Sequence, residues 1–212
     1  MQIDLVFQII ILILSIILHE VAHGYVAEAF GDPTARLAGR LTLNPVKHID
    51  PFGSIILPAL MVFSGSNLLF GWAKPVPYNP YNLKGRFAET LVALAGVLVN
   101  LGIALIFGLL IRFGASSMSP AFLSLIAMVV YINLLLALFN LIPFPPLDGS
   151  RALTSLLPYR MLEKYRAFEA SIARFGLIAS FLFLLIFIQL VWPFFSSLLS
   201  IVFSAITGIP LG

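Results

Sequence analysis

The chain has 212 residues, 60% of them Ala, Val, Ile, Leu, Met, Phe, Trp, Tyr or Cys and only 10% charged, with a formal net charge of +3. A soluble domain is about 45–50% apolar and about 25% charged, so this composition excludes a disordered chain, a nucleic-acid-binding domain and an ordinary soluble enzyme. What remains is a multi-pass membrane protein whose apolar surface is solvated by lipid. The absence of Cys removes disulfides and thiolate sites from consideration.

The first apolar segment runs from Ile3 to about Ala22. It approaches the roughly 20 residues that a helix needs to cross about 30 Å of hydrocarbon. Asp4, rather than a Lys or Arg, stands at its start, so it is expected to stay in place and not to be removed as a signal peptide. The segment ends in IILHEVAHGY, which holds two of the three His of the chain. On a helix, positions i and i+4 are neighbours on one face, so His19 and His23 can share one metal ion. Glu20 points about a quarter-turn away and can reach a water on that ion. This is the HExxH pattern of zinc hydrolases, with two neutral imidazoles as ligands and the glutamate as general base. The competing reading pairs these groups with each other or with headgroups. It is disfavoured because ionisable residues inside membrane segments are functional by default.

The tract PFGSIILPALMVFSGSNLLF, residues 51–70, carries two Pro, two Gly and an Asn, which makes a poor spanning helix. Ser54–Leu57 and Leu60–Phe63 read as short strands of a re-entrant hairpin. Such backbone is tolerated at membrane depth only under a cover of protein or in a water-filled cavity. The following loop, GWAKPVPYNPYNLKGR, mixes Trp72, Tyr78 and Tyr81 with Lys74, Lys84 and Arg86, a composition suited to the headgroup level. Three more apolar segments follow: about Thr90 to Ile111, Pro120 to Leu141, and Phe175 to Trp192. In the first of them Gly96, Gly102 and Gly108 suit close helix approach, and Asn100 suits an interhelical hydrogen bond. A fifth apolar tract, Phe194–Ile206, follows Pro193 and either extends the last helix past a kink or lies in the interface. The fold class is therefore all-α: four to five transmembrane helices and a small re-entrant β-hairpin region after the first.

A catalytic zinc takes three protein ligands and keeps one position open. Beyond His19 and His23 the candidates are His48 and seven carboxylates. Glu28 lies on the first helix and faces the wrong way, while Asp32 and Asp50 sit in a Pro-flanked loop and suit turns or helix caps. Glu89 begins the second long helix, and Glu163 and Glu169 belong to the basic, solvated stretch EKYRAFEA. Asp148 closes NLIPFPPLDGS, where Pro143, Pro145 and Pro146 forbid a regular helix. It is either a ligand on a rigid mount or an Asp-Gly turn at a helix start, and spacing alone leaves both open.

HEVAH on a first membrane helix, AGVLVNL in a second and NLIPFPPLDG after a third resemble the site-2 protease family of intramembrane zinc metallopeptidases, peptidase family M50. The motifs stand in the family's order and cover about residues 15–157. The resemblance implies that His19, His23 and Asp148 hold one catalytic Zn²⁺ and that Glu20 is the catalytic base. It further implies that Asn140 steadies the substrate carbonyl or its oxyanion. The usual Gly-Pro of the middle motif is Gly96-Val97 here, which removes no catalytic group. No PDZ or CBS module is expected.

The expected protein is a single membrane-embedded metallopeptidase domain over 1–212, with a catalytic core of about 3–157 and C-terminal helices over 160–208. It hydrolyses peptide bonds in or near the transmembrane segments of membrane proteins, with the lipid bilayer as its solvent and no nucleic-acid partner. A helical substrate must unwind before it is cut, and an edge strand in Ser54–Phe63 is the expected holder. Ser54, His48 and Asn140 are the candidate substrate contacts. The alternative is a non-proteolytic zinc-binding membrane protein, a pseudoprotease or transporter. A pseudoprotease would be expected to lose Glu20 or a ligand, and all are present. For His19, His23 and Asp148 to meet, the first and third long helices must run the same way. That places eleven of the twelve Lys and Arg on one side with Arg112 opposite. By the positive-inside rule the site then opens to the cytoplasm, most simply from the cell (plasma) membrane.

Overall fold

The computed structural model describes residues 2–56, Leu60, Phe63 and 73–211. Two compact units divide the chain, Met1–Ala88 and Glu89–Gly212. Among the described residues four helical stretches are long and apolar enough to cross a membrane: Val6–Ala29, Ala88–Ser117, Pro120–Asn140 and Phe181–Thr207.

In the first unit, helix α1 spans Gln2–Ala29. It stops at Gly31, whose φ of 102° only glycine adopts without strain. The Gly31 amide then reaches Glu28 O (2.9 Å) and the Asp32 amide reaches Ala27 O (2.9 Å), the Schellman arrangement that satisfies the last carbonyls of a helix. A short helix α2, Thr34–Leu37, follows. Next comes a 3₁₀ turn, Pro45–His48, capped by the Asn44 side chain. Pro51–Ile56 forms a π-helical turn. The expected strand at Ser54–Leu57 is thus corrected over Ser54–Ile56: Asp50 accepts from the Phe52 and Gly53 amides, and Ser54 N–H returns to Asp50 O at 2.8 Å. An Asx-type cap has wound this Pro-Phe-Gly-Ser sequence into a helical turn. The rest of the proposed hairpin, Leu60 and Phe63 excepted, lies outside the described residues, and among those described there is no strand.

From Ala73 to Asn79 the chain forms no helix; Pro75 and Pro77 bias the residues before them to extended backbone, and the segment is fastened across the first unit as a strap. The Lys74 amide donates to His48 O (2.9 Å), and Lys74 O accepts from Arg40 Nη2 (2.8 Å). Further along, the Asn79 amide donates to Asp32 Oδ2 (2.6 Å), and the Lys84 amide donates to Phe30 O (2.8 Å).

In the second unit, helix α3 spans Ala88–Gly114 and α4 spans Pro120–Asn140. Ser119 caps α4, and Pro120 takes the first helical position, where its missing N–H costs nothing. Helices α5 (Asp148–Thr154), α6 (Tyr159–Phe175), α7 (Leu177–Ile186) and α8 (Trp192–Thr207) complete the unit. A π-helical turn, Phe187–Val191, joins α7 to α8. That wide turn absorbs Pro193, which has no amide to donate and crowds the preceding turn. The tract Phe194–Ile206 therefore extends the fourth span. The core gathers Ile111 of α3, Val130 and Leu134 of α4, Phe187, and Leu199 and Phe203 of α8, all buried. In lipid, shape-matched packing holds such a core, since water exclusion no longer drives it. Gly108 fits this role against Ile206, whereas Gly102 faces open space. Many large apolar side chains instead point outward, Phe113, Ile178 and Phe194 among them, as a lipid-facing surface requires.

Candidate metal centre

Regular helix geometry brings His19 and His23 onto one face of α1, one turn apart. Their Nε2 atoms lie 3.1 Å from each other, and the rings meet edge to face with centroids 4.7 Å apart. Both imidazoles are buried. Two nitrogens converging in this way present a pair of donors to one small cation, and the imidazole pair suits zinc.

Glu20 is half-buried, and its Oε2 accepts the Val76 amide of the strap at 2.8 Å. The strap thus fixes one oxygen of this carboxylate. Gly24, one residue past His23, makes room for this contact. A Cβ there would collide with Leu41, Val76 and Ala35 side chains.

Among the described side chains of this unit, Glu28, Asp32 and Asp50 are committed to other partners. Glu28 is gripped through two N–H groups of the Arg36 guanidinium. Asp32 is fully buried and accepts from Thr34, the Asn79 amide and Asn82 Nδ2. Burial alone would raise its pKa, but these hydrogen bonds to the charged form outweigh that effect and hold the carboxyl below the usual aspartate value. Asp50 caps the π-helical turn. Glu28 thus clamps Arg36 from the helix, while Asp32 and Asp50 serve turns, as their loop setting suggests. His48 is buried, with its Nε2–H donating to Thr42 O (2.8 Å). Ser54 Oγ accepts the Asp50 amide at 3.1 Å.

In the second unit, Asp148 is the first residue of α5 and is buried. A carboxylate in a first helical turn complements the positive end of the helix dipole. The segment 141–147 that delivers it contains a cis Pro145–Pro146 bond. Gly149 packs directly on the Leu141 and Ile142 carbonyls, where any Cβ would overlap them. Glu169 is not free in solvent as the sequence suggests: it accepts the hydroxyl of buried Ser150 at 2.7 Å. Asn140 closes α4, with Nδ2 donating to Leu136 O (2.9 Å). Asn133, two turns earlier and not singled out by any motif, is fully buried and donates to Val129 O at 2.9 Å. Its seven-residue spacing from Asn140 was the available signal.

A family model described as peptidase family M50 matches residues 110–187. A Bacillus subtilis protein named "Putative zinc metalloprotease YwhC" is 40% identical over 200 residues, covering 88% of this chain and 84% of that relative. "Putative zinc metalloprotease Rip2" of Mycolicibacterium smegmatis is 33% identical over 141 residues, 66% of this chain and 53% of the relative. The Mycobacterium tuberculosis protein of the same name is 33% identical over 155 residues, 73% of this chain and 58% of the relative. The chain therefore spans little more than half the length of the mycobacterial relatives. No solved structure matches significantly.

Proposed function

The chain belongs to peptidase family M50, and on that premise we propose that it cleaves membrane proteins in or near their transmembrane segments as an intramembrane zinc endopeptidase. The supporting observation is the paired His19 and His23 imidazoles on a membrane-length helix, with the Glu20 carboxylate beside them steadied by the Val76 amide. We assign His19, His23 and Asp148 as the zinc ligands. Zinc held there would supply Lewis-acid chemistry toward a water and the scissile carbonyl. Glu20 takes the water proton on Oε1 and returns a proton to the leaving amine nitrogen. Asn140 is assigned to the developing oxyanion. Its amide is tethered to Leu136 O at rest, so one of its two N–H bonds remains to donate. His48 and Ser54 are assigned to substrate contact from the first loop. The whole chain acts as one peptidase domain.

On this reading the first and third long helices run in parallel, the segment between Pro51 and Ala73 dips and returns, and the site opens to the cytoplasm from the plasma membrane. The charge balance supports that orientation, with eleven of the twelve Lys and Arg on one side.

The deciding experiment incubates purified protein in detergent with a synthetic transmembrane substrate, with and without a zinc chelator. Wild type cleaves and the chelated enzyme does not. Glu20→Gln retains stoichiometric zinc and loses about 10²–10⁴-fold in rate. Equal cleavage by wild type and Glu20→Gln removes the assigned base, and a zinc-loaded wild type inactive across a broad substrate panel returns the binding-protein alternative.

A further inference from the structure

Helix α6, Tyr159–Phe175, lies in sequence between the spans Pro120–Asn140 and Phe181–Thr207, so both of its ends are tied close to the membrane boundary. It is not itself a spanning helix, since it carries four cations and two carboxylates. One face is seated on its own unit. Leu162, Tyr165, Glu169 and Ile172 are half-buried there, and the Tyr165 hydroxyl lies 3.0 Å from both Pro143 O and Ser150 Oγ. Beside that seat runs a stripe of Met161, Phe168 and Phe175, exposed by 56%, 41% and 64% and spaced seven residues apart, with one edge of the Phe168 ring resting on Phe144. Next around the helix stand Arg160, Lys164 and Arg174, all exposed. In water this stripe is unfavourable, and a soluble helix would carry polar residues there. An apolar stripe flanked by cations is the form of a helix lying in a bilayer surface.

We propose that α6 is a lipid-docking helix. Met161, Phe168 and Phe175 enter the acyl boundary, and Arg160, Lys164 and Arg174 bind the phosphates of anionic phospholipids. Charge complementarity selects that occupant: near an anionic surface each basic residue shifts the docked population about fivefold. The inference uses the membrane placement of the spans and does not depend on the peptidase reading, so it stands or falls separately from proteolysis.

The chain has no Cys, so a single nitroxide is placed cleanly by Phe168→Cys or, on the cationic side, by Ala167→Cys. The full chain is reconstituted in vesicles of phosphatidylcholine alone and of phosphatidylcholine with phosphatidylglycerol. With phosphatidylglycerol present, the residue-168 label is reached by oxygen and shielded from a water-soluble nickel chelate, and the residue-167 label shows the reverse. The contrast weakens in phosphatidylcholine alone. In the triple variant Arg160→Gln, Lys164→Gln, Arg174→Gln it no longer responds to phosphatidylglycerol. Equal nickel access at both positions in both vesicles overturns the proposal, as does an undiminished lipid response in the triple variant. Spin–spin broadening at residue 168 would assign the stripe to a second copy and overturn it too. The single variant Lys164→Gln, which alters only an exposed side chain, gives a smaller loss of the response and covers misfolding of the triple variant.

Discussion

Asp32 shows how a buried charge is kept in a chain with few charges. Every donor around it belongs to the first unit: Thr34 beside it in sequence, and Asn79 and Asn82 at the far end of the strap. Because its pKa is lower folded than unfolded, its contribution is full above the unfolded value of about 3.9 and disappears as pH falls through the folded value. Asp32→Asn is therefore less stable than wild type at neutral pH, by about 1–3 kcal/mol. The two should converge in thermal melts as the buffer is acidified. A gap that stays constant with pH would mean the charge is not what matters. Asp148 and Asp50 offer a second contrast. On the proposed ligand assignment, Asp148→Asn exchanges a charged oxygen ligand for a poorer neutral one and lowers zinc retention, while Asp50→Asn keeps an oxygen for the Phe52 and Gly53 amides and leaves zinc content near wild type. Metal analysis showing the reverse would move the third ligand into the first loop.

At the scale of elements, what the sequence reveals depends on whether the signal is periodic and local. The His19–His23 pairing is legible because any α-helix places i and i+4 together, and the helix needs only apolar length to be recognised. The strap has no such signature: Val76 reaches Glu20 across 56 residues, and each of its hydrogen bonds is non-local. Over Ser54–Ile56 the sequence points to a strand and the structure forms a helical turn, because short apolar runs with Pro and Gly fit both and the Asp50 cap decides between them. The fourth span runs past Trp192 to Thr207. Apolar density continues through Pro193, and hydropathy alone does not reveal that a π-helical turn accommodates it. The strap also cannot serve as an edge strand for substrate. Pro75 and Pro77 have no N–H, and the Lys74, Val76 and Asn79 amides are already bonded. Its use is to hold Glu20. Val76 already stands between two prolines, so Val76→Pro is compatible with extended backbone while deleting the donor. The variant should keep its zinc and lose about 10–100-fold in kcat, with a smaller change in KM. Wild-type kcat would make the amide contact incidental.

For the whole molecule, two compact units each carry part of the proposed chemistry. The paired imidazoles and Glu20 belong to Met1–Ala88, and Asn140 and Asp148 to Glu89–Gly212. The sequence shows the four spans as hydropathy but not this division, because a unit is defined by which contacts form and not by composition. Family motifs alone make Asp148 stand out from the other carboxylates, while in the structure Glu28, Asp32 and Asp50 are held by other partners. The proposed orientation is checked by single-cysteine labelling of intact cells at residues 36 and 66. Both should be protected from a membrane-impermeant reagent and exposed once the cells are opened. Labels on opposite faces would make 51–70 a spanning segment.

The hydrogen bond between Val76 and Glu20 also turns one backbone proton into a gauge. A buried, bonded amide exchanges with deuterated solvent only when its surroundings open, and this one opens only when the carboxylate lets go. The free energy of lifting the strap off Glu20 is therefore written in the exchange rate at a single position. Pro75 and Pro77, which contribute no exchangeable backbone hydrogens of their own, leave that signal free of its immediate neighbours.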